Sequence, residues 1–353
     1  MSGWRSLAYR AARPLLFGFD SERIHRLTLR GLRIAGSNPI GRGLLAWLGG
    51  VGRPAPADVL GLRFRNRIGL GAGFDKDGVA LRGWAALGLG FLEVGTVTPE
   101  PQAGNPRPRL FRLVPDEALI NRMGFNNAGA ATVARNVMLA RRHLPPGVLV
   151  GINLGRGRET AEEEATADYL AAHRLVAPVA DYLVLNLSSP NTPGLRELQR
   201  PDRLASLVGE LHAAGERLDC RRPLLVKLAP DLDDAAFDEL VGAVAGSAAA
   251  GLVLANTTLS RDGLRAPAAQ EAGGLSGAPL RDRALALVAR ARELAGKRLT
   301  IVASGGLATA ADVAAARDAG ADLVQLWTGL VYQGPGLIGE AAAVPWPGSA
   351  QTG

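Results

Sequence analysis

The second part of the chain, from residue 67, alternates short apolar runs with longer amphipathic stretches. The apolar runs predict eight buried strands, at Ile68–Ala72, Phe91–Gly95, Val148–Asn153, Tyr182–Asn186, Leu224–Leu228, Gly251–Ala255, Leu299–Ala303 and Asp322–Leu326. The amphipathic stretches predict helices that include Ala165–Pro178, Arg203–Leu218, Asp233–Ala245, Leu280–Ala295 and Ala310–Ala319. Eight such units predict a (β/α)8 TIM barrel over residues 67–343, with a doubly wound open sheet as the alternative.

Residues 1–50 predict a small N-terminal helical extension. Apolar positions recur at helical spacing in a first segment, which we expect Pro14 to break, and in a second helix from Ser21 to Ala35 capped by Asp20 or Ser21. Such helices fit either an anionic membrane surface or an ordinary cap over the main domain. Residues 51–66 are predicted to form a linker, and the Pro/Gly-rich residues 344–353 a disordered tail.

Composition and charge narrow the class of protein. No apolar run reaches the roughly 18 residues that a membrane-spanning helix needs, and no secretory signal is recognisable. The single cysteine, Cys220, excludes an internal disulfide and a multi-cysteine metal site, and we predict no bound metal. The net charge of +7 permits an anionic membrane or nucleic acid as a partner.

Polar residues follow most of the predicted strands, where a barrel carries its active site. The loop Asn186-Leu187-Ser188-Ser189-Pro190-Asn191 is made rigid by proline and presents amides and hydroxyls. Lys76 and Lys227, two of only three lysines in the chain, lie at strand ends. Each feature alone is common in ordinary loops, but together they place two cations and several amides around one barrel mouth.

The last two strands point to a phosphate-bearing cofactor. The Gly305-Gly306 turn follows strand seven and the Trp327-Thr328-Gly329 segment follows strand eight. Barrels commonly bind phosphate at this position through backbone N–H groups. A phosphate site with two lysines beside a planar ligand predicts one FMN per chain, because a cation near the flavin stabilises the charge of its reduced form.

Ordered motifs in this chain resemble the class 2, quinone-dependent dihydroorotate dehydrogenases. They are GFDKDG, EVGTVTP, NPRPRLFRL, INRMGFNN, NLSSPNTPGLR, VKLAPD, NTT, GGLSG and SGG, spread over roughly residues 60 to 340. The N-terminal FDSERIH motif resembles the extension that separates class 2 from class 1 enzymes. The resemblance implies oxidation of (S)-dihydroorotate to orotate in pyrimidine biosynthesis, with hydride transfer to FMN and electron transfer to a membrane quinone.

The resemblance also implies site residues. Ser189 matches the catalytic base that takes the C5 proton of dihydroorotate, with Thr192 and Phe125 ordering a water beside it. The implied cofactor contacts are Ala72, Gly73, Phe74, Asp75, Lys76, Thr96, Asn153, Asn186, Lys227, Ala255, Gly277, Gly306, Trp327 and Thr328. The implied substrate contacts are Lys76, Asn121, Arg122, Met123, Gly124, Phe125, Asn186, Asn191, Asn256 and Thr257.

His25 and Arg112 match polar positions of a quinone tunnel between the N-terminal helices. The resemblance therefore favours a membrane-facing role for those helices, in a monomeric protein peripheral to the cytoplasmic side of the cell membrane and without a nucleic-acid partner. Trp327 stands where the family usually has tyrosine, and Ala255 where a hydroxyl residue can occur. The competing interpretations are a tRNA dihydrouridine synthase, for which Cys220 is misplaced, and a non-catalytic adaptor, which would not need the lysines and asparagines.

Overall fold

The structure, a computed structural model, describes residues 3–188 and 198–347, with side chains from residue 5 onward. Three helices open the chain: α1 (Gly3–Phe17), α2 (Ser21–Gly36) and α3 (Pro39–Gly49). Asp20 caps α2, since its carboxylate accepts a hydrogen bond from the Arg23 backbone N–H.

The predicted break of the first helix at Pro14 is wrong, because α1 continues through it. Contacts on both sides of the proline hold the helix against the end of the chain. The Tyr9 hydroxyl donates to the Val331 carbonyl over 2.8 Å, and the Phe17 ring packs edge-on against Tyr332. This packing offsets the one backbone hydrogen bond that a proline removes.

The segment predicted to be a linker contains a hairpin, β1 (Ala57–Val59) and β2 (Leu62–Phe64), and the linker prediction is corrected accordingly. The hairpin closes the amino end of the barrel. Phe64 is fully buried there, with its ring edge-on to Phe91 and tilted against Tyr182. Burying this ring ties the segment to the barrel core.

The rest of the described chain forms the barrel and its insertions. In chain order the elements are β3 (Ile68–Leu70), α4 (Leu81–Ala86), β4 (Phe91–Val97), β5 (Leu110–Leu113), β6 (Ala118–Asn121), α5 (Ala130–Arg141), β7 (Leu149–Leu154), α6 (Ala165–Val176), β8 (Tyr182–Asn186), α7 (Pro201–Arg217), β9 (Leu224–Lys227), α8 (Asp234–Gly246), β10 (Gly251–Leu254), β11 (Gly274–Gly277), α9 (Arg281–Ala295), β12 (Thr300–Ser304), α10 (Ala310–Asp318), β13 (Leu323–Leu326), α11 (Thr328–Gln333) and α12 (Gly336–Ala342).

Eight parallel strands close the barrel in the order β3, β4, β7, β8, β9, β10, β12 and β13. Closure is direct, since Val324 of β13 pairs with Ile68 of β3. All eight predicted strands are confirmed, and the closed barrel excludes the open-sheet alternative. Strand interiors are almost wholly buried, as expected for a parallel sheet covered by helices.

A three-stranded antiparallel sheet, β5–β6–β11, stands apart from the barrel sheet and was not predicted. Its strands come from two separate insertions, after β4 and after β10, and Gly274 of β11 pairs with Asn121 of β6. It forms a wall at the barrel mouth, where several of its residues line the site described below.

The predicted disorder of the tail is wrong for residues 344–347. Val344 is buried in the main core, and the Trp346 ring lies under the Arg67 guanidinium at 5.0 Å. An arginine over an aromatic face is an attractive contact, and it orders this part of the tail. Residues 348–353 lie outside the described residues.

Candidate active site

A cavity opens at the carboxyl ends of the barrel strands, against the β5–β6–β11 sheet. Most of the predicted site residues line it: Ala72, Gly73, Lys76, Thr96, Asn121, Met123, Gly124, Phe125, Asn186, Lys227, Ala255, Asn256, Thr257, Gly277, Gly306, Trp327 and Thr328. Residues far apart in sequence thus converge on one concave surface, as the strand-end argument expects.

Four predicted contacts do not line this cavity. The Asp75 carboxylate accepts the Val79 and Ala80 backbone N–H groups over 2.9 and 2.8 Å, and so holds the turn before α4. The Arg122 guanidinium pairs with Glu271 at 2.6 Å. Phe74 lines the second cavity described below, and Asn153 is fully buried and accepts a hydrogen bond from Thr96. Ser189, Asn191 and Thr192 lie outside the described residues.

Glycine keeps the cavity open on two sides. A Cβ built at Gly71 or Gly73 would come no closer than 3.5 Å to its neighbours, so a side chain there would extend into the cavity. Gly306 has a φ of +73°, and a Cβ there would lie 2.3 Å from the Arg281 backbone. Only glycine therefore suits this turn, and its backbone lines the site directly.

Lys76 is the partly buried cation on one side of the cavity. Its Nζ donates to the Asn126 side-chain oxygen over 2.5 Å. Burial, helped by the nearby positive charge of Arg109, lowers the pKa of Lys76 to about 7, although Asp77 and Glu22 oppose the shift. An anionic ligand at this position would restore the charged form.

Lys227 is the second cation, at the end of β9 and in register with Asn186 of β8. Burial lowers its pKa and the charge of Glu93 opposes that shift. Glu93 lies inside the barrel with no exposed surface. A buried carboxylate thus partly compensates a buried ammonium group below the cavity floor.

Amide and hydroxyl side chains connect the cavity floor to Glu93. Asn186 donates to the Thr96 hydroxyl over 2.8 Å, and Thr96 donates to the Asn153 side-chain oxygen over 2.6 Å. Asn153 then donates to Glu93 over 2.8 Å. All four side chains are buried, and every one of these hydrogen bonds joins different strands or strand ends.

A second, mainly apolar cavity lies between the N-terminal helices and the barrel. Leu16, Phe17, Ile24, Leu32, Leu45 and Leu48 contribute from the helices, with Phe74, Trp84, Leu330 and Ile338 on the opposite side. Four residues line both cavities and form their common wall: His25, Leu110, Leu119 and Trp327. The indole of Trp327 packs against the Phe74 ring at a centroid distance of 4.7 Å.

The two predicted tunnel residues both line this second cavity. The His25 Nε2 lies 2.6 Å from the Phe74 carbonyl oxygen, and since a carbonyl only accepts, that nitrogen carries the proton. Burial lowers the pKa of His25 and favours the neutral ring. Arg112 lies 4.8 Å over the Phe17 ring and donates to Ser21 and to the Leu16 and Phe19 carbonyls, so it fixes the turn between α1 and α2.

Sequence reasoning missed several residues that build the site. Glu93 and Gln325 are polar residues within otherwise apolar strands, a signal that the sequence does carry. The Glu22–Arg109 ion pair links α2 to the loop before β5, and the Ser276 hydroxyl lies 2.8 Å from that of Thr328. The two latter contacts join distant segments, so spacing alone could not reveal them.

Comparison with known proteins identifies the family. Residues 55–341 match the family model described as dihydroorotate dehydrogenase. A protein of Xanthomonas campestris pv. campestris (strain B100) named dihydroorotate dehydrogenase (quinone) is 46% identical over 337 residues, which cover 94% of each chain. A protein of the same name from Deinococcus radiodurans is 47% identical over 351 residues, covering 95% of this chain and 94% of that one.

Solved structures agree with this assignment. The DHODH of Eimeria tenella in complex with ferulenol superposes with a TM-score of 0.79 at 34% sequence identity, covering 86% of this chain and 90% of that one. Its ligand-free form gives the same TM-score at 35% identity, covering 85% and 92%. The barrel, the convergent site and these matches lead to one conclusion: the chain belongs to the dihydroorotate dehydrogenase family.

Proposed function

We propose that this protein oxidises dihydroorotate to orotate in pyrimidine biosynthesis, with FMN as cofactor and a quinone as electron acceptor. The observation that carries the proposal is the pair of cavities with a shared wall. One cavity is lined by lysines and amides and suits a planar anionic substrate beside a flavin. The other is mainly apolar and suits a lipophilic quinone.

The residues present fit FMN. Glycines 71 and 73 leave room for a flat ring system, and the backbone of Gly277, Gly306 and Thr328 lines the far end, where a phosphate would be held. Lys227 and Thr96 would bind the ring side. When bound, FMN would accept a hydride from the substrate and then pass the electrons to a quinone.

The substrate would lie against the amide-rich wall of the first cavity. Asn121, Asn256 and Thr257 line that wall and offer both donors and acceptors to the ring amides of dihydroorotate. Lys76 would bind its carboxylate. We assign the catalytic base to Ser189, which directly follows Ser188; the latter hydroxyl accepts from Asn256 over 2.9 Å. A serine is a weak base, so its hydroxyl needs an acceptor for its own proton.

We further propose a monomer peripheral to the cytoplasmic side of the cell membrane, with residues 1–50 as the unit that receives quinone from an anionic bilayer and residues 67–343 as the FMN barrel. Eight large apolar side chains between residues 7 and 47 are exposed and support a lipid contact. No helix in the described part of the chain is both long and apolar enough to cross a bilayer.

The visible spectrum of the purified flavoprotein tests the function. Anaerobic dihydroorotate should bleach the flavin band, and a ubiquinone analogue, but not NAD⁺, should restore it. A flavin band unaffected by dihydroorotate would refute the substrate assignment, and recovery with NAD⁺ alone would refute the acceptor.

A further inference from the structure

The buried hydrogen bonds beneath the first cavity run in one direction. Asn256 donates to the Asn186 side-chain oxygen over 3.2 Å, and Asn186 donates onward to Thr96. Thr96 donates to Asn153, which donates to Glu93. Each acceptor is thus the donor of the next step, and the series ends at a carboxylate.

Glu93 also ends a second branch. Gln325 of β13 donates through its Nε2 to the other carboxylate oxygen. The remaining amide oxygen of Gln325 is buried, has no hydrogen-bond partner among the described residues, and belongs to a side chain that lines the first cavity. Since Glu93 occupies the amide nitrogen, Gln325 offers an acceptor to a ligand in the cavity.

Each of the four amides in this network could be turned by 180° with little change of shape, exchanging donor for acceptor. An ionised carboxylate can only accept hydrogen bonds, so it fixes the orientation of both amides that contact it. The Thr96 hydroxyl extends this constraint to Asn186, whose side-chain oxygen accepts from Asn256. The Thr257 backbone N–H donates to the Asn256 side-chain oxygen over 2.9 Å and holds Asn256 in the matching orientation. Glu93 is fully buried and does not line the cavity, so its effect on a ligand must act through these residues.

We propose that Glu93 is a positioning residue that fixes which atoms of Gln325, Thr96 and Asn186 face the flavin and the substrate as donors and as acceptors. The proposal deepens the function proposed above and rests on it where orotate is the probe. The full burial of Glu93 supports it, because a carboxylate without access to water must find its hydrogen-bond donors among these neighbours.

The substitution Glu93→Gln removes the constraint without changing the size of the side chain. The new amide offers one oxygen and one NH2 group to two neighbours that both present NH2 groups. Either Gln325 or Asn153 must then turn round. If Asn153 turns, Thr96 can no longer donate to it, and the reversal extends to Asn186, whose NH2 group would then face the NH2 group of Asn256. We expect at least tenfold weaker orotate binding to the FMN-loaded E93Q variant.

The double variant E93Q/Q325E is the matched rescue. Here the residue at 93 donates to the carboxylate at 325 and accepts from Asn153, so the direction of the series to Asn256 is restored. We expect orotate affinity within threefold of wild type. We expect the FMN affinity of the double variant to be lower than that of wild type, because the acceptor at position 325 that faces the cavity is now charged. A purely structural role of Glu93 predicts no such rescue.

Orotate titration of the four FMN-loaded proteins, wild type, E93Q, E93D and E93Q/Q325E, decides the question. An E93Q variant that binds orotate as tightly as wild type, or a double variant that binds it as weakly as E93Q, would overturn the proposal. If E93Q does not fold, the double variant decides alone.

If the wild-type protein itself does not bind orotate, the proposed function fails, and this failure is distinct from that of the Glu93 proposal. The FMN affinity of the apoproteins then tests the role of Glu93. The E93D variant keeps a carboxylate that only accepts hydrogen bonds, so we expect it to bind FMN at least fivefold more tightly than E93Q. Equal FMN affinities of the two variants would contradict the proposal.

Discussion

Lys76 is a residue whose charge state depends on what occupies the cavity. Its pKa of about 7 makes the ammonium form dominant below pH 7 and the neutral amine dominant above it. If the ammonium group binds the orotate carboxylate, the dissociation constant of orotate should rise roughly tenfold for each pH unit above about 7. The rise should end where the pH reaches the higher pKa that Lys76 has in the complex. Titration of the FMN-loaded protein between pH 6 and 9 measures this.

Lys76→Met is the control for that titration. It should bind orotate roughly tenfold or more weakly at pH 6, because a charged hydrogen bond contributes about 1.5–3 kcal/mol. Its affinity should then vary little with pH. A pH dependence that persists in the variant would assign the titration to another group.

Ser189 is the residue on which the proton transfer depends in our proposal. Ser189→Ala should keep FMN and orotate binding but reduce kcat by a factor of roughly 10² to 10⁴ at neutral pH, the range typical of a lost general base. Ser188→Ala is the matched control, because its hydroxyl accepts from Asn256 and our proposal gives it no part in the proton step. It should weaken orotate binding more than it lowers kcat. Near-normal turnover of the Ser189→Ala variant would refute the assignment of Ser189 as the catalytic base.

Trp327 stands between the two cavities and lines both. Its indole has an N–H donor but no hydroxyl, and it fills more space than the tyrosine that the family resemblance implies at this position. Trp327→Tyr should therefore change the KM for quinone at least threefold and the KM for dihydroorotate less than twofold. The opposite pattern in steady-state kinetics would put the indole on the substrate side only.

Helix α2 is the element that connects the N-terminal helices to the amide-rich wall of the first cavity. Its Glu22 accepts from Arg109 over 2.9 and 3.1 Å, and both side chains are more than 90% buried. Arg109 also donates to the Ala103 and Asn105 carbonyls, and Asn105 donates to the Arg122 carbonyl next to Asn121. A shift of α2 would thus move the loop that carries the proposed substrate contacts.

This ion pair predicts a pH-dependent stability. Burial alone would raise the pKa of Glu22, but the hydrogen bonds and charges of Arg109 and Arg107 outweigh it and lower the pKa to about 2, from an ordinary value of 4.5. Glu22→Gln should cost about 3 kcal/mol in the free energy of unfolding near neutral pH, since it leaves a buried arginine without its counter-charge. The contribution is complete above pH 4.5 and should disappear as the pH falls towards 2.

The exposed pair Asp58–Arg63 provides the matched control for urea unfolding. Its side chains are 70% and 67% exposed, so Asp58→Asn should cost less than about 1 kcal/mol. Equal losses in the two variants would show that Glu22 does not anchor α2.

At the scale of the whole molecule, the sequence predicted the features that depend on neighbouring residues and missed those that depend on contacts between distant segments. The eight barrel strands are mostly apolar runs, and the polar residues at strand ends converge because the strands are parallel, so both features could be predicted from the sequence. The hairpin at β1 and β2 was missed because its three-residue strands depend on Phe64 packing onto Phe91 and Tyr182. The role of Glu93 was missed because its partner Gln325 lies 232 residues away.

The distribution of exposed apolar side chains predicts how the molecule meets a membrane. Leu7, Leu15, Ile34 and Ile40 are 66–87% exposed, and together with Phe19, Leu27, Leu44 and Trp47 they are eight of the fourteen large apolar side chains exposed in the described part of the chain. Replacing the first four by serine should abolish binding to anionic liposomes, because each loses roughly 1.5–3 kcal/mol of burial in lipid.

The same variant should still reduce a short, water-soluble quinone at the wild-type rate, since none of the four side chains lines either cavity. Met138, Leu139, Leu175 and Leu259 are the control set, because they are 43–55% exposed on the barrel. Their replacement by serine should leave liposome co-sedimentation unchanged. If both quadruple variants lose lipid binding equally, general surface hydrophobicity explains the attachment. If only the N-terminal set does, the bilayer meets the protein at the helices that enclose the second cavity, and a lipophilic quinone can enter without crossing water.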